Sequence, residues 1–208
     1  MPEVEYTTKM ALSRELVWEF VKDMNNWAPM LTGYQKHEII DDKDSIWTLK
    51  GDVGILSRMV RLKAHVTEWS DRDRVAFTLE GQNEKVDGGG LLVMEDVVAD
   101  APPPPPPPKR WFGRRFMDWL ARKMFRRMHG EGPKRLAAPA GAEGGTRLTF
   151  TLRMEAGGPT GPLVNAMLGP ALLPAAEDLA NKIAAHLEKV HLGSGATSGS
   201  GSAAEKAA

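Results

Sequence analysis

Seven consecutive prolines at residues 102–108 set the strongest limit on how this chain can fold. Proline fixes φ, lacks an N–H and pushes the preceding residue out of helical space, so no helix and no central strand can run through the stretch. As polyproline II the run spans about 22 Å and acts as a semi-rigid spacer. The sequence on its two sides therefore has to be read separately.

Ahead of the prolines, residues 4–12 (VEYTTKMAL) read as a first strand, with Ser13 as a helix N-cap and Glu15 in the first turn. Leu16, Val17, Phe20, Val21 and Met24 then recur at helical spacing. Asn25, Asn26 and Pro29 break or tighten that helix before a second short helical piece ends near Gly33. From Tyr34 to about Val98 the runs are separated by turn chemistry: DDKD at 41–44, SDRDR at 70–74 and NEKVDGGG at 83–90. Val60, Leu62, Ala64 and Val66 alternate with Arg61, Lys63 and His65, and Val75, Phe77 and Leu79 repeat the alternation. The pattern is that of an antiparallel meander with one apolar and one wet face.

Beyond the prolines, Leu148, Phe150, Leu152 and Met154 alternate in the same way. A helical pattern follows from Leu163 to about Val190, in which Pro170 and Pro174 are expected to kink or restart the helix. Residues 193–208 are rich in Gly, Ser and Ala and read as a flexible tail. Strands in series with helices at the two ends indicate an α+β domain. It is made of residues 1–99 plus 144–192, interrupted by an insert at 100–143.

The insert differs in charge from the rest. Residues 109–129 hold eight Lys/Arg against Asp118 alone; the whole chain has 27 basic and 27 acidic residues, so a +7 segment is attached to a −7 body. At helical spacing Phe112, Phe116, Trp119, Leu120, Met124 and Met128 share a broad face, with Arg114, Arg115, Arg122 and Arg126 opposite. This predicts a basic amphipathic helix that docks on an anionic membrane surface through Arg110, Trp111, Phe112, Arg115, Phe116, Trp119, Leu120, Lys123, Met124 and Arg127. Packing on the protein's own sheet, or binding a protein or nucleic-acid partner, are the competing readings; the acidic body argues against nucleic acid.

The absence of cysteine excludes disulfides, thiolate metal sites and cysteine nucleophiles and fits a cytoplasmic location, to which the basic segment adds an expected peripheral membrane association. No apolar run approaches the length of a membrane span, and the first residues, MPEVEYTTK, have no apolar signal core. No catalytic or metal-ligating constellation is visible, and no cofactor is expected. His65 reads as the polar side of its strand and His37 as a surface residue beside a turn; the carboxylates at 41–42 and 71–73 sit in turns.

The order of elements, with ELVWEFVKDMNNWAPMLTGY (15–34), LKGDVGILSRMVRLKAHVTEW (49–69) and LVNAMLGPALLPAAEDLANKIAAHL (163–187), resembles the START/polyketide-cyclase (SRPBCC) superfamily. Within it the chain is most similar to the G subunits of carbon monoxide dehydrogenases. The resemblance implies a helix-grip fold, in which a curved antiparallel sheet wraps a long C-terminal helix around an apolar cavity. Trp47, Leu49, Leu62, Ala64, Phe77, Leu79, Phe150, Leu152, Met167, Leu168 and Leu172 are the candidate lining, with plain core filling as the alternative for each. The implied function is non-enzymatic carriage of an isoprenoid quinone or lipid at a membrane, accessory to a redox enzyme such as carbon monoxide dehydrogenase. A cyclase or dehydratase acting on a hydrophobic substrate is the alternative.

Overall fold

The computed structural model describes residues 2–53, 56–97 and 145–192, together with Lys123 and Arg127. Its elements are β1 (Glu3–Met10), α1 (Arg14–Val21), α2 (Met24–Trp27), a 3-10 turn (Ala28–Met30), β2 (Tyr34–Ile39), β3 (Asp44–Val53), β4 (Leu56–Ser70), β5 (Arg74–Gly81), β6 (Val86–Asp96), β7 (Thr146–Ala156) and α3 (Gly161–Leu192). The chain is therefore α+β.

The strands form one seven-stranded sheet in the order β1-β7-β6-β5-β4-β3-β2, antiparallel at every pairing. β2 to β6 follow one another as a meander, with short polar turns at 41–43, 71–73 and 82–85. The strand after the insert then returns between β6 and β1, so the two sides of the proline run are hydrogen-bonded neighbours. Val97 N–H donates to the Gly145 carbonyl at 2.7 Å, which closes the base of the excursion.

Ser13 caps α1, its hydroxyl accepting from Leu16 N–H, and Asp23 caps α2 by accepting from Asn25 N–H. Gly33, at φ +83°, turns the chain into β2; a Cβ there would collide with the Lys50 backbone, whose N–H donates to the Gly33 carbonyl at 2.7 Å.

α3 runs unbroken for 32 residues through both Pro170 and Pro174. The expected kink does not divide the element: the helix continues although each proline removes a backbone donor. α3 packs on β1 and β7. Its start is tied to the sheet by Asn165, whose side chain accepts from Ala156 N–H (2.7 Å) and donates to the Ala156 carbonyl (2.9 Å). The amide thus pairs with a strand backbone as another peptide unit would, and two such bonds contribute about 1 kcal/mol each. Its far end closes a dry cluster in which Ile183, Ala184 and Leu187 meet Met10, Leu12, Val17, Trp18, Met94 and Leu148.

The closed base at Val97 and Gly145 yields a direct test. Deleting residues 100–143 and bridging with a short turn is expected to leave a folded protein with a single cooperative thermal transition by circular dichroism. Loss of that transition would make the insert part of the domain's own structure.

Candidate functional site

Residues opposite one another in antiparallel strands project from the same face. From the register, Leu152 is level with Val4 and Gly90, Gly90 with Phe77, Phe77 with Val66, and Leu79 with Ala64. Ala64 and Leu62 are in turn level with Ser45 and Trp47. All eight strand residues of the expected lining, Trp47, Leu49, Leu62, Ala64, Phe77, Leu79, Phe150 and Leu152, consequently lie on one face. It is the face that carries Met10, Met94 and Leu148 against α3.

That face has two environments. At the end where α3 finishes, its side chains are sealed; Met10 and Met94 are each 2% exposed. Toward the start of α3, Leu49, Ala64, Phe77, Leu79, Phe150 and Leu152 stay half-buried although they point to the same side. Trp47 and Leu62 form the buried floor between them. A sheet face that is mostly apolar but water-sealed at one end only is an open trough.

Met167, Leu168 and Leu172 lie on α3, the first two half-buried. Leu168 and Leu172 are one turn apart and share a side, with Leu172 buried. Met167 falls about 140° around the axis from Leu172.

Glycine shapes the trough on β6. The Phe77 ring lies over Gly90, where a Cβ would come 2.8 Å from Cε1 and closer still to Cζ. The glycines read as part of the turn at 83–90 thus lie inside a strand, and Gly90 leaves room for an aromatic ring to lie flat on the sheet.

At the β2–β3 side the trough meets an aromatic stack. The Trp47 ring lies between those of Trp27 (5.5 Å between centroids, 25° between planes) and His37 (5.0 Å, 21°). Tyr34 Oη and His37 Nδ1 are hydrogen-bonded at 2.9 Å. His37 is therefore half-buried in an aromatic layer, a correction to its reading as a surface residue. Trp27 and His37 are additions to the expected lining. His37 could have been found by counting back in twos from the turn at 41–44; Trp27 reaches the stack through tertiary packing alone.

The polar groups around the trough are committed to one another. Trp47 Nε1 donates to Ser45 Oγ at 2.9 Å. Asp178, on α3, accepts from Thr32 Oγ1 (2.9 Å) and from Lys182 Nζ (2.6 Å), and Lys182 also donates to the Met30 carbonyl (3.2 Å). This latch joins α3 to the segment after the 3-10 turn. The buried Glu188, 1% exposed, follows Leu187 of the sealed cluster and lies about 24 Å along the helix from Leu172. His65 is on the outer face, as expected. Its bond to Asp44 (2.8 Å), followed by that of Lys63, holds the Asp44 carboxyl below the usual aspartate range.

Of the expected membrane-docking residues, Arg110, Trp111, Phe112, Arg115, Phe116, Trp119, Leu120 and Met124 lie outside the described residues. Lys123 and Arg127 are helical and exposed. Among the described residues no helix is long and apolar enough to cross a membrane.

A family model described only as "-like" matches residues 1–98 and names no activity. No curated protein matches the chain. Among solved structures, a conserved protein from Geobacillus kaustophilus aligns with TM-score 0.61 and 15% identity over 91% of this chain and 96% of its own. The Zhui aromatase/cyclase from Streptomyces sp. R1128 aligns with TM-score 0.53 and 16% identity over 90% and 93%. A START superfamily protein from Mycobacterium smegmatis aligns with TM-score 0.50 and 15% identity over 91% and 99%. At these identities the likeness establishes the fold.

The Gly90–Phe77 contact is testable. Gly90→Val is expected to lift the ring off the sheet, costing about 1 to 3 kcal/mol by overpacking, and to change the near-ultraviolet signal while the far-ultraviolet spectrum stays native. Unchanged stability and near-ultraviolet signal would mean that the ring does not lie there.

Proposed function

We propose that this chain, which has the START/polyketide-cyclase fold, is a non-enzymatic carrier of a lipophilic molecule, an isoprenoid quinone or lipid, working at a membrane surface. The observation that carries the reading is the half-buried apolar face from Leu49 across Phe77 to Leu152, set beside a core that is sealed. A fully packed domain would bury these residues as it buries Met94. Covering the exposed part of a half-buried apolar side chain contributes about 1 kcal/mol, so the residues of this face must act together to offset the cost of association.

Carriage rather than conversion is favoured because the polar groups bordering the trough already have internal partners: Ser45 with Trp47, His37 with Tyr34, Asp178 with Thr32 and Lys182. They position the walls. Access lies along Gly169 to Pro174 of α3, where a Cβ at Gly169 would meet nothing within 4 Å and each proline removes a helix N–H donor.

The membrane half of the proposal rests on the +7 charge of residues 109–129. Each basic residue near an anionic surface contributes about 1 kcal/mol, enough for reversible attachment. Kinship with the G subunits of carbon monoxide dehydrogenases, and service to a redox enzyme, belong to this proposal through the resemblance of residues 15–34, 49–69 and 163–187.

Two measurements test it. Ala64 sits between Ser45 and Leu79 across the trough, and Ala64→Trp is expected to weaken binding of a fluorescent fatty acid or quinone about tenfold, 1.4 kcal/mol, in a folded protein. No saturable binding to the wild type from a panel of quinones, lipids and fatty acids would end the carrier reading. Co-sedimentation with anionic but not neutral liposomes, lost on Phe116→Asp with Trp119→Asp and weakened by salt, is expected for the membrane role. Equal sedimentation with both lipids would remove that role.

A further inference from the structure

We infer that β2 is the contact strand of a symmetric homodimer, in which two sheets join edge to edge about a two-fold axis at His37.

β2 ends the sheet, and among the described residues no strand pairs with its outer edge. Ile40 N–H donates to the Asp44 carbonyl at 2.9 Å. Ladder bonds alternate along antiparallel strands, so Lys36 and Glu38 turn their backbone groups toward β3, and His37 and Ile39 turn theirs outward. The next strand agrees: Val66 N–H donates to the Lys43 carbonyl, which directs residues 45 and 47 to β4 and leaves 44, 46 and 48 for β2. The outer edge thus presents free donors and acceptors at His37 and Ile39.

What docks there is set by charge. An axis through His37 places Lys36 opposite Glu38 of the second copy, and Glu38 opposite its Lys36. Both are non-hydrogen-bonded pairs, the type whose side chains approach most closely. An axis one residue later sets Glu38 against Glu38; one residue earlier, Lys36 against Lys36. Like charges directly opposite oppose pairing, so of these three registers the axis at His37 is the favoured one. Within one chain the two side chains already meet at 2.6 Å, and the axis at His37 makes them half of a four-charge cluster.

The same register covers apolar surface. Ile39 and Ile40 are 53% and 57% exposed, unlike β1 at the other edge, which exposes no large apolar side chain. Pairing brings the second copy's chain alongside Ile39 at the register shift between its Tyr34 and Lys36. The aromatic stack at His37 and Trp47 then borders its own copy, and the two troughs open on one continuous sheet.

Sedimentation equilibrium on the full chain tests this. The wild type is expected to show a concentration-dependent monomer–dimer equilibrium. Glu38→Lys, which sets Lys against Lys in the favoured register, should shift it to monomer, and the swap Lys36→Glu with Glu38→Lys should restore the dimer. His37→Pro should also be monomeric while keeping the wild-type far-ultraviolet spectrum, because the N–H it removes faces solvent in the single chain. A wild type that stays monomeric at every concentration, a Glu38→Lys variant as dimeric as the wild type, or a folded swap that fails to recover the dimer would each overturn the inference.

Discussion

The position of α3 across one side of the sheet governs the rest of the molecule. A seven-stranded sheet offers more apolar surface than one helix can cover, and this helix lies over β1 and β7. Asn165 holds its start against the end of β7, Asp178 and Lys182 hold its middle to the segment at Met30 and Thr32, and Leu187 seals its end among Met10, Met94 and Leu148. With three fixed points the helix cannot slide to cover Phe77 and Ala64. The inner faces of β3 to β5 are left with their own apolar side chains and an opening.

A trough of this kind is a recognition surface with little chemistry of its own. Burial of apolar area is non-directional, so in the proposed carrier Leu49, Phe77, Leu79 and Leu152 would supply binding strength and the rigid walls would supply shape. The rigid wall is the Trp27, Trp47 and His37 stack, fixed by the Tyr34–His37 bond and by Trp27 Nε1 donating to the Val21 carbonyl at 2.9 Å. The opposite wall is smoother, since Gly88 and Gly90 put no side chain on the inner face of β6. An elongated molecule with a flat group at one end fits this asymmetry.

Much of the architecture is legible in the sequence because two-residue periodicity survives in single strands. Val60, Leu62, Ala64 and Val66, then Phe77 and Leu79, then Phe150 and Leu152 each announce a face, and the pairing register joins those faces into one. The sealed and open ends of that face look alike in sequence: Leu148 and Leu152 occupy equivalent places in one alternation, and only the helix above distinguishes them. An apolar helical stretch does not by itself reveal which of the neighbours Met167 and Leu168, both half-buried, turns inward. His37 is misread because its neighbours Lys36 and Glu38 are wet-face residues, and its partner Trp47 lies across a turn. The continuity of α3 through Pro170 and Pro174 is hidden for a related reason: packing and the Asn165 clamp outweigh a local preference that counts against the helix.

The claim at the centre of this account is that the space between α3 and β3 to β5 holds a lipophilic molecule. Native mass spectrometry of the full chain after incubation with a total membrane lipid and quinone extract addresses it most directly. The account predicts one adduct per chain, identified after release as a long-chain or isoprenoid molecule. A spectrum with no adduct, or with only polar metabolites bound, would contradict it.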